Sequence, residues 1–203
     1  MHGDMELVAQ DPERYVGADD VIDCTARSVV ALAVELRASH LGEVDYARAA
    51  FEWVRDRIAH SVDVSDPRVT IKASDVLREG VGLCFSKSHL LVALLRAQGV
   101  PAGLCYQSLQ GDQADERMLH GLAAAYLDGG WHRLDPRGNK PGIEAELSLG
   151  DERLAWSADP SRGEIDYPTI FVVPAAEVVA ALRGSDDALA LCADGLPSEL
   201  VEV

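Results

Sequence analysis

The chain has 203 residues, long enough for one well-packed domain and too short for two generous ones. Hydrophobic residues make up 48% and charged residues 26%, the balance of an ordinary soluble globular protein. The net charge of −16 is not ordinary: it repels phosphate backbones and anionic lipid, which argues against nucleic acid or a membrane surface as partner.

Residues Met1 to Glu6 lack the basic and apolar blocks of a signal peptide, and no run approaches the ~18 apolar residues of a membrane span. Cys24, Cys84, Cys105 and Cys192 are far apart and form no C-x-x-C pair. They are expected as free thiols in a reducing cytoplasm, and a cysteine-based metal site is disfavoured. No cofactor is expected.

Residues Asp4 to Asp20 are polar and turn-rich. From Val21 to about Ser39, Ile22, Val29, Ala33 and Leu36 recur as on an amphipathic helix, capped around Asp19 or Asp20. Asp45 is placed to cap a second helix from Tyr46 to about Ala59, with Ala50, Phe51, Val54 and Ile58 on one face. His60 to Thr70, with Asp66-Pro67, reads as a loop, and His40 and His60 read as surface or helix-end residues. Ser74 opens a short helical turn.

The next stretch organises the chain. Gly80-Val81-Gly82 makes a tight loop, Cys84 closes it, and Phe85 to Gln98 forms a helix that Gly99 and Pro101 end. Its apolar residues surround nearly the whole circumference, which predicts a buried central helix. Cys84 therefore stands at a helix mouth, where unpaired N–H groups and the helix dipole favour thiolate over thiol. Leu83 offers no capping acceptor, so donors there remain available to an oxyanion.

Beyond the helix the period changes. Ala102 to Ser108 reads as a strand, Gln110 to Arg117 as a polar loop, and Leu119–Leu127 with Trp131–Asp135 as a hairpin around Asp128-Gly129. A two-residue turn there sets Leu127 opposite Gly130 and Asp135 opposite Leu122. His120 then projects from the same face as Asp135, at a diagonal Cα separation of roughly 7–8 Å. Moving the turn to Gly129-Gly130 pairs Asp135 with Ala124 and keeps the parity at a longer reach, whereas a three-residue loop would break the relation. Pro136 to Pro141 reads as a loop, Ile143 to Leu154 as a possible short strand and Tyr167 to Val173 as a strand. Pro174 to about Arg183 reads as a helix, with a short helix near Ala188 to Cys192.

Cys84, His120 and Asp135 supply in chain order a nucleophile, a base and a group that orients the base. Asn139 is an alternative orienter. His89 and His132 fit structural roles, Cys105 and Cys192 fit packing, and Trp53, Trp131 and Trp156 are expected in the core.

Gly80-Val81-Gly82-Leu83-Cys84 with Leu90 to Ala102 resembles the nucleophile region of the transglutaminase-like superfamily. His120 to Asp135, with Gly130-Trp131 ahead of Leu134-Asp135-Pro136, resembles its histidine and aspartate strands, and Ala49 to Ile58 its preceding helix. The resemblance covers about Asp45 to Pro136. It implies an α+β, papain-like fold in which a central helix bearing the nucleophile packs on an antiparallel sheet. The whole chain is then a single such domain, with a motif core over about 45–140. It also implies catalysis by Cys84 as nucleophile, His120 as base and Asp135 as orienting carboxylate.

The expected reaction passes through an acyl-thioester on a peptide or protein substrate. Hydrolysis is favoured over transfer to an amine, because no acidic calcium loop is visible. One departure is His120-Gly121-Leu122, where the family often has His-Ala-Trp. A catalytically inactive scaffold that binds protein or peptide is the alternative reading.

Overall fold

The computed structural model describes residues 5–111 and 117–200. Three helices, α1 (Arg27–Ser39), α2 (Glu43–Arg57) and α3 (Ala73–Glu79), precede the central helix α4 (Cys84–Ala97). Strands β3 (Ala102–Gln110), β4 (Arg117–Leu127) and β5 (Gly130–Leu134) follow it. Strand β6 (Ile165–Asp166), α5 (Ala176–Arg183) and α6 (Ala188–Ala190) come last. A separate parallel pair joins β1 (Ala59–His60) to β2 (Val81–Gly82).

The main sheet is antiparallel in the order β5-β4-β3-β6. Helix α4 lies between its face and α1, α2 and α3, so the expected central helix on an antiparallel sheet is the observed architecture. Leu90, Leu91, Leu94 and Leu95 are fully buried. Each such leucine contributes about 1.5–3 kcal/mol, so α4 is the element whose packing governs the rest. Tyr46 of α2 fastens to it by donating its hydroxyl to the Leu94 carbonyl at 2.5 Å. Arg96 donates to the carbonyls of Ala102, Gly17 and Val172, tying the end of α4 to three distant segments.

Several boundaries differ from expectation. Helix α1 begins at Arg27, because the Asp19 carboxylate accepts the N–H groups of Val21 and Ile22 in a turn and so caps no helix. Helix α2 starts at Glu43 after Gly42, with Asp45 inside its first turn. The anticipated loop from His60 begins instead as a strand residue, since Ala59 and Ser61 donate to the carbonyls of Gly80 and Gly82. Strand β3 runs on to Gln110 and β4 starts at Arg117; the rest of the polar loop, residues 112–116, lies outside the described residues.

The segment Ile143 to Leu154 carries only isolated bridges, Lys140 with Ile143 and Glu146 with Arg153. Tyr167 to Val173 is likewise held by single bridges, from Thr169 to Val8 and from Phe171 to Leu104. Pro168 has no N–H to continue a ladder, and the regular strand is the preceding pair Ile165–Asp166. Pro174 lies outside α5, before its N-cap Ala175.

The β4–β5 hairpin has the expected register. Asp128 (φ 50°) and Gly129 (φ 82°) form the turn, and Leu127 faces Gly130. Both central residues sit in the left-handed region, as a twist-compatible two-residue hairpin requires. The ladder stops at Leu134 opposite Ala123. From Leu122 back to Arg117, β4 therefore has no strand on that side among the described residues.

Candidate active site

The open edge of β4 faces the mouth of α4. Cys84 is the first residue of that helix, and no side chain caps it, so the N–H groups of its first turn are left to other acceptors. In the antiparallel pairing of β3 with β4, alternate residues turn their backbone groups away from the partner strand. Gly121 is one of them, and its N–H donates to Cys84 Sγ at 3.5 Å. This approach requires glycine: a Cβ there would stand 2.5 Å from Phe85 Cδ1 and 3.1 Å from Phe85 Cα. The departure His120-Gly121-Leu122 thus matches a strand packed unusually close to the cysteine's neighbour.

His120 and Asp135 meet as the hairpin register predicts, with His120 Nε2 2.9 Å from Asp135 Oδ2. Nδ1 is then the ring nitrogen available to the sulfur. Asp135 has no exposed surface and accepts two further bonds, from the N–H of Arg137 at 3.1 Å and of Ala155 at 3.0 Å. Burial alone would raise its pKa, but His120 and these donors hold it below the usual carboxylate range. Burial likewise disfavours charge on His120. The Asp135 charge, the neighbouring Cys84 sulfur and hydrogen bonds to both outweigh that, pushing the imidazole up to about 10. A protonated imidazole between a sulfur and a carboxylate is the expected resting arrangement of such a set.

Two residues read otherwise in the sequence belong to this neighbourhood. Trp156 is 37% exposed and outside the core, and its ring meets the His120 ring edge-on, with centroids 4.9 Å apart at 88°. The Arg137 guanidinium lies over the Trp156 ring, 5.4 Å from its centroid, and pairs with Asp63, which Lys140 also contacts. His60 is buried rather than superficial, because the short β1–β2 pairing carries it inward. Its Nδ1 has no partner, and burial, then the nearby Arg137 cation, push its pKa down to about 3, keeping it neutral.

Asn139 does not reach His120; its side chain accepts from and donates to the backbone of Ala145. His89 is fully buried with Nδ1 on the Ile71 carbonyl, and Cys105 is fully buried with its thiol pushed up to about 12 by desolvation. His40 closes α1 through the Leu36 carbonyl. Lys87, one turn along α4 from Cys84, is fully buried and donates to the carbonyls of Ile58 and Arg55 (3.2 Å for the latter) at the end of α2. No sequence periodicity distinguishes it from the apolar residues around it.

A cavity of about 700 Å³ is lined by Trp131, His132, Glu152 and Asp166 among others, and none of Cys84, His120 and Asp135 borders it. Among the described residues, no three His, Cys, Asp or Glu side chains are placed to hold a metal ion, no disulfide forms, and no helix is long and apolar enough to cross a membrane.

A family model described as the transglutaminase-like superfamily matches residues 30–136. No match is found among the curated proteins. Among solved structures, the chain is similar to a protein described as a candidate cysteine protease from Cytophaga hutchinsonii. The TM-score is 0.48 at 18% identity, over 61% of this chain and 40% of that one. It is also similar to the periplasmic domain of TgpA from Pseudomonas aeruginosa, with TM-score 0.47 and 21% identity over 63% of this chain and 48% of that one. The chain thus spans less than half the length of either.

Proposed function

The chain belongs to the transglutaminase-like superfamily, residues 30–136 carrying the match, and from that premise we propose that it is a cysteine-dependent amide or peptide hydrolase acting through an acyl-thioester. Cys84 is the nucleophile, His120 the general base and acid, and Asp135 the group that fixes the imidazole. The observation that carries this reading is the junction of three features at one strand edge: an uncapped helix mouth at Cys84, the Gly121 N–H on its sulfur, and the buried His120–Asp135 bond.

Each step draws on that geometry. The Cys84 thiolate attacks the substrate carbonyl, and the carbonyl π pair moves onto oxygen, where the Cys84 N–H at the helix mouth is placed to donate. Collapse expels the amine, which takes its proton from His120 Nδ1, and leaves an acyl-thioester on Sγ. Water then attacks the thioester while the now neutral His120 takes its proton. Release of the carboxylic acid restores the thiolate–imidazolium pair. Asp135 keeps its charge throughout and holds Nε2–H, so that Nδ1 is the working nitrogen.

The test is the rate of iodoacetamide labelling of Cys84 from pH 5 to 9, mapped by mass spectrometry, in the wild type and in His120→Ala. Fast labelling well below the ordinary thiol pKa of ~8.5, slowed at least tenfold by the substitution, is expected. An ordinary thiol profile indifferent to His120 would overturn the proposal. Replacement of Cys84 by Ser should also abolish turnover of a peptide library.

A further inference from the structure

The edge of β4 that serves Cys84 is already occupied one step further on. Leu119, like Gly121, turns its backbone groups away from β3, since the pairs Ser108–Leu119 and Tyr106–Gly121 are two residues apart in the same ladder. The Gly121 N–H goes to Cys84 Sγ; the Leu119 N–H donates to the carbonyl of Pro197 at 3.2 Å. Successive outward donors on a strand are about 7 Å apart. A carbonyl from the C-terminal segment therefore sits one strand repeat from the sulfur, on the same side of the same strand.

The segment is held there by more than one bond. Leu196 leaves the preceding helical turn in an extended conformation (φ −78°, ψ 147°). Ser108 Oγ donates to the Ser198 carbonyl at 2.7 Å, and the Leu200 N–H donates to Tyr167 Oη at 3.0 Å. The Leu200 side chain is buried in the main core. Cys84 itself is only 8% exposed.

An amide substrate must bring its carbonyl against Cys84 Sγ. A peptide extending from that carbonyl along β4 would offer its next carbonyls to the outward N–H groups of the open edge, as chains added to a sheet edge do. The Leu119 N–H is the first such donor, and Pro197 holds it. We infer that residues 196–200 are an internal occupant of the acyl-donor lane, and that an extended peptide substrate binds by displacing them and taking over the Leu119 N–H. The segment is an occupant rather than a substrate: its bond on this edge is the Pro197 carbonyl on the Leu119 N–H, whereas the donor to Cys84 Sγ is the Gly121 N–H.

This inference rests on Cys84 as the nucleophile, and its test separates the two. The wild-type chain is alkylated at Cys84 either with iodoacetamide or with a tetra-alanyl chloromethyl ketone, and amide hydrogen exchange is followed by NMR. The peptidyl adduct should speed exchange at the Leu200 amide at least a hundredfold while leaving Leu119 protected; the carbamidomethyl adduct should change neither. In Leu200→Asp, labelling by the peptidyl ketone should rise about tenfold, with the iodoacetamide rate within twofold of wild type. Cys84 inert to iodoacetamide would overturn the proposed function and this inference with it. A reactive Cys84 whose peptidyl adduct leaves Leu200 protected would overturn this inference alone. So would equal acceleration of both reagents in the variant, or peptidyl labelling that the variant leaves unchanged.

Discussion

Gly121 shows how little room the site leaves. An added methyl at this residue meets Phe85 Cδ1 at 2.5 Å, so either β4 or the start of α4 must move. Gly121→Ala is expected to cost about 1–3 kcal/mol by overpacking, measured by urea unfolding, and to slow Cys84 alkylation as its N–H leaves the sulfur. Trp156 offers a milder test. Its edge-on contact covers the His120 ring, and Trp156→Ala should lower kcat about tenfold with little change in stability, a difference of ~1.4 kcal/mol at the transition state. The shared face of His120 and Asp135 was readable from the sequence because strand parity is the same for a turn at Asp128-Gly129 or at Gly129-Gly130; the structure takes the first, which gives the shorter reach. Trp156 and His60 were not: an irregular loop delivers one and a two-residue strand the other, and neither has a period to read.

Lys87 joins two elements. Its ammonium is buried beside the end of α2, bonded to the carbonyls of Arg55 and Ile58 that the helix leaves unpaired. Lys87→Met keeps most of the volume but strands those carbonyls, and should destabilise the protein by about 1–3 kcal/mol in chemical denaturation. The central helix itself was legible, since apolar residues all round a fourteen-residue segment have few places to go but the core. The start of α1 was not, because Asp19 serves a turn with the same donors a helix cap would use. The strands expected over 143–154 and 167–173 were lost to a different cause. The first folds back on itself through the local bridges Lys140–Ile143 and Glu146–Arg153, and in the second Pro168 has no N–H to continue a ladder, leaving the single bridges of Thr169 and Phe171.

Across the whole molecule, protonation weighs unevenly on stability. His60 and His89 are buried and neutral, with pKa values pushed by desolvation down to about 3 and about 4, whereas the unfolded chain takes up protons near 6.5. Between pH 6.5 and 4 the unfolded state therefore binds more protons, and stability should fall with pH by up to about 1.4 kcal/mol per unit for each histidine. The alkaline side is gentler. The stabilisation from the His120 charge is full below pH 6.5 and is lost as pH rises through about 10. Lys87, pushed down to about 7 by burial, gains relative to the unfolded chain over much of that window. Urea midpoints at pH 5, 7 and 9 check this asymmetry: the loss from 7 to 5 should exceed that from 7 to 9. The early end of β5 has a further bearing on solubility. A gap in a sheet is also a template, and the exposed donors of one strand invite a second molecule to fill it. Residues 196–200 and the mouth of α4 stand guard there. A chain shortened to residue 195 should consequently self-associate through β4, seen as a concentration-dependent rise in sedimentation coefficient, even where its negative charge would otherwise keep molecules apart.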